Sequence, residues 1–264
     1  VEALRRGAAE ITGSAGPGDA AARLPVPDSD DEVHALAVTL NDMLDRLAAS
    51  RARQRAFVAD AAHELRNPLA SLRTQLEVAQ RHGADAETVT DLLADTERLG
   101  RLVDDLLLLA RADEGAADPG QDPVDLTELL ATTVERLAEP RVPVVVAPGD
   151  PVVVRGDARL LDRVLSNLVD NAVRHATSQV TLAASLDGDH AVLTVTDDGP
   201  GVPEADRERV FDRFTRLDDA RARDAGGAGL GLAIVRDLIH LHSGTVHLHP
   251  TPPGGTTATI HLPL

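Results

Sequence analysis

A histidine beside a glutamate, with an asparagine one helical turn further on, is the first grouping in this 264-residue chain that could do chemistry. It reads Phe57-Val-Ala-Asp60-Ala-Ala-His63-Glu64-Leu-Arg66-Asn67-Pro68-Leu69. A neutral imidazole is a nucleophile, and a carboxylate accepting its other ring N–H fixes the tautomer and stabilises the cation formed on attack. At about 100° per residue, His63 lies about 200° from the apolar Leu65, so the spacing predicts an exposed ring rather than a core histidine. No second histidine follows at i+4, which removes the helical zinc-protease pattern. Pro68 lacks the amide hydrogen and crowds the turn holding Glu64, so it should kink or soften the helix there.

Three further groupings come later in the chain. Asn167, Asn171 and Arg174 fall at i, i+4 and i+7, a polar stripe on a helix otherwise rich in Leu, Val and Ala, with His175 beside it. An amide oxygen is a hard neutral ligand suited to Mg²⁺ already bound to phosphates, and Arg174 could pair with a phosphate. Asp197-Asp198-Gly199-Pro200-Gly201 closes a strand. Its glycines let a flat ligand approach the backbone, and a buried carboxylate accepts from an exocyclic amine such as that of adenine. Gly226-Gly227-Ala228-Gly229-Leu230-Gly231-Leu232 leads into a helix, where bare N–H groups suit phosphates. Between them, Phe211 and Phe214 can anchor a lid from which Arg213 or Arg216 reaches a triphosphate. Arg221 and Arg223 read as solvated loop.

These groupings need elements to hold them. Val33, Leu36, Leu40, Met43 and Leu47 are spaced 3, 4, 3, 4, a coiled-coil seam that resumes at Val58, Ala61, Leu65, Leu69, Leu72 and Leu76. A break at 82–85 precedes a helix over about 86–112, in which Leu92, Leu99 and Leu106 recur every seventh residue. Leu93, Leu102, Leu107 and Leu109 widen its apolar face, so the hairpin is expected to complete a four-helix bundle as a homodimer. Residues 115–123 read as a linker. The rest predicts an α/β sandwich: helices 126–137, 158–175, 204–210 and 230–242, and strands 143–146, 152–154, 179–185, 191–197, 245–250 and 256–262. Ahead of all this, residues 1–11 read as a short helix followed by a Gly/Pro connector over 13–27.

Composition narrows the classes. The net charge of −17 argues against broad binding to nucleic acid or anionic membrane. Absence of cysteine excludes disulfides and thiolate metal sites. The longest apolar run, 106–110, is too short to span a bilayer, so membrane attachment would lie in segments outside this sequence. All 26 basic residues are arginine, a bias resembling that of GC-rich bacterial genomes.

Taken in order, the motifs resemble those of bacterial sensor histidine kinases: an H box at His63, an N box over 167–175, a G1 box over 197–201, an F box over 211–214 and a G2 box over 227–231. The N-terminal part resembles a HAMP linker through Asp31-Glu32 and Asn41-Asp42-Met43. Its first helix lacks the family's opening proline, from which the sequence is expected to begin inside it. The resemblance implies a HAMP-like relay over 1–52, a dimerisation and histidine-phosphotransfer domain over 53–115, and a Bergerat-type ATP-binding domain over 124–264. It implies autophosphorylation of His63 from Mg-ATP with help from Glu64, transfer to an aspartate on the receiver domain of a response regulator, and dephosphorylation of that regulator with Asn67 orienting water. ATP would be held by Asn167, Asn171, Arg174, His175, Asp197, Gly199, Gly201, Phe211, Arg213, Phe214, Arg216, Gly227, Gly229, Leu230 and Gly231, with Mg²⁺ on Asn171. The implied setting is the cytoplasmic portion of an inner- or plasma-membrane receptor. Asp198, where the family often has Asn, and His175, where Tyr or His occurs, depart slightly from the pattern. A plain ATPase of the gyrase and chaperone superfamily would leave the hairpin without a role. A non-enzymatic scaffold is opposed by the intact Asn171, Asp197 and glycine motifs.

Overall fold

The computed structural model describes residues 23–26, 32–82, 86–113, 119–137, 139–217, 229–252 and 254–264. The expected helix over 1–11, most of the connector, the break at 83–85 and the glycines at 226 and 227 lie outside these. The chain divides into two compact units, residues 1–64 and 65–264.

In the first unit lies the start of helix α1 (Glu32–His82), which carries the seam of Val33, Leu36, Leu40, Met43 and Leu47. The described piece of connector docks on it through Asn41. That amide accepts the Leu24 N–H at 2.8 Å and donates to the Leu24 carbonyl at 3.0 Å, replacing both backbone partners that an irregular segment lacks. Arg23 pairs with Asp45 at 2.8 Å, and Leu24 and Ala37 are buried.

The second unit takes the remainder of α1, which passes through Pro68, and α2 (Ala86–Asp113). Between these helices Gln75 donates to Asp95 at 3.0 Å, with Ser71 alongside at 3.4 Å. Strand β1 (Asp122–Asp125) pairs antiparallel with β3 (Val153–Gly156). Its four residues lie across the end of the expected linker, where a proline and two aspartates mask a strand that the pairing with β3 imposes.

A five-stranded sheet follows in the order β2-β4-β5-β7-β6, comprising β2 (Val144–Val146), β4 (Val180–Asp187), β5 (His190–Asp197), β6 (Thr245–Pro250) and β7 (Thr256–Pro263). Only the β2–β4 pair is parallel. Val180, Leu182, Leu193, Val195, Ile260 and Leu262 turn one face inward, whereas Thr181, Thr194, Thr196, Thr257 and Thr259 line the other, the alternation of a half-covered sheet.

Helices α3 (Leu126–Glu135), α4 (Ala158–His175) and α5 (Gly231–Leu241) cover the inward face. Asp125 caps α3 by accepting from Thr127 and Glu128 N–H at 2.8 and 3.2 Å, and Asp157 caps α4 by accepting from Arg159 N–H at 2.8 Å. The expected helix at 204–210 is instead two 3₁₀ turns, Glu204–Asp206 and Arg209–Phe211, short pieces between Pro203 and the buried Phe211. The end of α2 packs on α5, burying Leu102 and Leu109, and its Asp105 pairs with Arg163 of α4. Burial pushes the Asp105 carboxyl above its ordinary value, with Arg163 opposing.

Truncating Leu165 or Ile234, which are 1% and 0% exposed, to alanine is expected to cost about 2–5 kcal/mol. Thr259→Ala on the open face should stay within about 0.5 kcal/mol. Urea unfolding checks both, and similar losses at all three positions would contradict the two-layer packing.

Candidate functional site

The polar stripe on α4 is where the sequence places it. Leu161, Val164, Leu165, Leu168, Val169 and Ala172 bury the opposite side of the helix, leaving Asn167 and Asn171 half-buried and Arg174 and His175 exposed. Gly231 opens α5 beside Asn167: a Cβ at that glycine would lie 3.3 Å from Asn167 Oδ1, so the missing side chain lets the first turn of α5 approach the amide. Asn167 Nδ2 is buried and has no hydrogen-bond partner among the described residues. A buried donor left unpaired costs about 1–3 kcal/mol, which makes this one a natural place for an acceptor from a ligand. The N-terminus of α5 carries no side-chain cap, so its first N–H groups remain open to an anion.

The end of β5 supplies the second wall. Asp197 is 7% exposed and accepts the Gly199 N–H at 2.8 Å. Burial raises its carboxyl above the ordinary carboxylate value, while backbone donors at Gly199 and Thr256 pull the other way. Bare glycines permit this turn. A Cβ on Gly199 would stand 2.4 Å from the His175 carbonyl oxygen, and one on Gly255 would stand 2.1 Å from that of Asp197. Gly255 also sits at φ +116°, a region closed to side-chain-bearing residues. In the sequence it stands only as the last residue of Pro252-Pro253-Gly254-Gly255, between the strands expected over 245–250 and 256–262.

Between these walls the sequence-predicted lid is described at its two bases. Phe211 is buried with the Arg236 guanidinium 6.0 Å from its ring centroid. Phe214 takes a left-handed backbone (φ 62°) and donates its N–H to the Gly229 carbonyl at 2.9 Å, where Gly229 is also left-handed. Arg213 makes a 2.9 Å ion pair with Asp237 on α5, a partner that no sequence motif announced. Arg216 is half-buried, Leu230 is buried, and Gly227 lies outside the described residues.

His63, Glu64 and Asn67 sit on α1 as its period requires, His63 and Asn67 exposed and Glu64 half-buried. Large apolar side chains along the hairpin helices are open in the single chain, among them Val58, Leu69, Leu76, Leu93 and Leu107.

The chemistry of this donor set is specific. A buried acceptor carboxylate, an unpaired amide donor, an amide oxygen on Asn171 and an open helix N-terminus can take, in turn, a donor amine, an acceptor, a hard cation and an anion. Comparisons with known proteins point the same way. Residues 156–264 match the family model for histidine kinase-, DNA gyrase B- and HSP90-like ATPases, residues 53–115 that of the His Kinase A (phospho-acceptor) domain, and residues 1–49 that of the HAMP domain. The chain is 44% identical to the probable sensor histidine kinase TcrY of Mycobacterium tuberculosis, over 92% of this chain and 54% of that protein. It is 40% identical to the histidine-protein kinase/phosphatase MprB of Mycolicibacterium vanbaalenii, over 88% of this chain and 50% of that one. Among solved structures, the histidine kinase AdeS of Acinetobacter baumannii superposes with a TM-score of 0.62 at 25% identity, covering 76% of this chain and 97% of that one. The chain spans about half the length of the curated relatives it matches.

If Asp197 reads an exocyclic amine, Asp197→Asn should keep the fold and weaken binding of a non-hydrolysable ATP analogue by about 10- to 100-fold, the worth of a hydrogen bond to a charged group. Because burial raises this carboxyl, it takes up a proton before exposed carboxylates do as pH falls. Binding should therefore weaken on acidification at a pH above the ordinary carboxylate range. Titration calorimetry checks both, and unchanged affinity in Asp197→Asn would contradict the assignment.

Proposed function

The chain belongs to the bacterial sensor histidine kinases, and on that premise we propose that it phosphorylates its own His63 from Mg-ATP and passes the phosphoryl group to an aspartate on the receiver domain of a response regulator. We infer further that it dephosphorylates that regulator. The observation that supports this reading most strongly is the pair formed by the buried acceptor Asp197 and the buried, unpaired donor Asn167 Nδ2, two demands that one nucleotide can meet.

On this reading Asp197 accepts the adenine amine, and Gly199 and Gly201 let the base lie close to the backbone. Asn167, Gly229, Leu230 and Gly231 face the phosphates, a role that the resemblance in the sequence also gives to Gly227. Arg174 and His175 border the phosphate and base ends, and Arg216 serves the triphosphate from the lid. Phe211 and Phe214 anchor the lid, and the Asp237 ion pair makes Arg213 part of that anchor. The oxygen of Asn171 suits Mg²⁺, which neutralises phosphate charge when bound with the nucleotide.

The imidazole of His63 attacks the γ-phosphorus in line. A P–N bond forms as the bond to the β,γ-bridging oxygen breaks, and ADP leaves. Glu64 accepts from the other ring N–H and stabilises the developing imidazolium. Asn67 carries an amide that can orient water but cannot take a proton, which suits the regulator's dephosphorylation. MprB, named as a kinase/phosphatase, supports the second activity.

Residues 1–52 then form the relay, 53–115 the dimerisation and phosphotransfer segment, and 124–264 the ATP-binding domain. The open leucines of the hairpin are the surface a second copy would cover in a four-helix bundle. The HAMP match and the sensor-kinase relatives support a place for this chain on the cytoplasmic side of a membrane receptor.

Label from γ-³²P-ATP should enter His63 alone, as an acid-labile, base-stable adduct absent from His63→Ala. Glu64→Ala should slow labelling by about 10²- to 10⁴-fold. Asn67→Ala should leave labelling intact and prolong the lifetime of purified phosphorylated regulator in the presence of ADP. Loss of labelling with unchanged phosphatase activity in Asn67→Ala would reverse the two roles.

A further inference from the structure

Helix α4 ends at His175, and its last carbonyls have no partner within the helix. Arg141, on the loop before β2, meets them: its Nη2 donates to the Val173 carbonyl at 2.9 Å, to that of Arg174 at 3.4 Å, and to that of Ala176. A cation at this end also opposes the negative pole of the helix. Directly after it the chain presents donors, which Asp198 collects. Its carboxylate accepts the N–H groups of Thr177 at 2.8 Å, Ser178 at 3.0 Å and Gln179 at 3.3 Å, and the Ser178 hydroxyl. These bonds, the Ser178 hydroxyl foremost, hold the Asp198 carboxyl well below the usual carboxylate range. Gly199 closes the third side, against the His175 carbonyl.

Residues 173–179 are thus gripped by a cation on their acceptors and an anion on their donors. The gripped segment joins the helix carrying Asn171, Arg174 and His175 to strand β4, whose Val180 pairs with Asp197. We propose that Arg141 and Asp198 are positioning residues for the adenine end of the site: by bracing residues 173–179 from opposite sides, they set the spacing between the end of α4 and the Asp197–Gly201 turn. This rests on the nucleotide-binding reading above and extends it to two residues outside the set assigned to the nucleotide. Asp198, which stands out in the sequence only as a departure from a family pattern, gains a role that asparagine would fill less completely, since a single amide oxygen cannot serve all four donors.

The brace acts on base recognition, so it is tested by base preference. Asp197 accepts from the amine of adenine but faces a second acceptor in guanine. Binding of the Mg²⁺ complexes of AMP-PNP and GMP-PNP is measured on the full chain and on R141A, R141K, D198A and D198N. The alanine variants are expected to lose about tenfold in AMP-PNP affinity, the scale of one charge-assisted hydrogen bond. GMP-PNP binding should change by less than about twofold, within the usual variation for a contact not made. Adenine preference therefore collapses, and the lysine and asparagine variants, which retain a donor or an acceptor, fall between. Should an alanine variant fail to fold, R141K and D198N carry the same comparison with a smaller loss. Unchanged AMP-PNP affinity, or equal losses for both nucleotides, overturns the brace. Absence of AMP-PNP binding by the unchanged chain overturns the site itself, and the brace with it.

Discussion

A carboxylate taken out of water at the end of β5 is the constraint around which the ATPase-like layer is arranged. Asp197 keeps its oxygens in a place where burial disfavours its charge, so it must be held by fixed donors and by little else. The Gly199 and Thr256 amides serve that need, and they reach it because Gly199 and Gly255 are bare where any side chain would strike backbone. The β5–β7 register, Asp197 opposite Thr256, is thereby tied to the same point. Helix α4 closes against it through the His175 carbonyl, and the threonine face of the sheet bears none of this load. A ligand offering an amine completes the carboxylate's hydrogen bonding without adding charge, which is the basis for proposing adenine there.

Much of this was legible in the sequence, for identifiable reasons. Helices α1 and α2 followed from apolar spacing, and β4 and β5 lie where strands were expected over 179–185 and 191–197, whereas the helix expected at 204–210 is two 3₁₀ turns. Asn167, Asn171 and Asp197 stood out because polar residues interrupted strongly apolar elements. Other features left no local trace. Strand β1 owes its existence to β3, 28 residues or more along the chain, and its own residues favour a turn. The Arg213–Asp237 ion pair and the grip of Arg141 on the end of α4 join residues 24 and more than 30 positions apart. In a chain with 26 arginines no composition signal separates these from solvated ones. Asp198 was visible as a residue, but its four donors became visible only once β4 and β5 were paired.

The two halves of the proposed chemistry rest on different physics. Nucleotide capture depends on a preformed polar wall with an unmet donor and a half-met acceptor. Phosphoryl acceptance depends on an exposed imidazole whose nearest helper is its sequence neighbour, Glu64. The hairpin's open apolar side chains add a third demand, because a single chain leaves them in water at 53–61% exposure for Leu69, Leu76 and Val58. A second copy is the simplest way to cover them.

Amide hydrogen exchange of the full chain with and without Mg-AMP-PNP tests the central claim, that Asp197, Asn167 and the start of α5 form one nucleotide site. Slowed exchange is expected at the end of α4, at 197–201 and over the first turn of α5, with the Gly199 amide among those protected. Saturating nucleotide that leaves all three segments unchanged, or that protects another part of the chain instead, would contradict it.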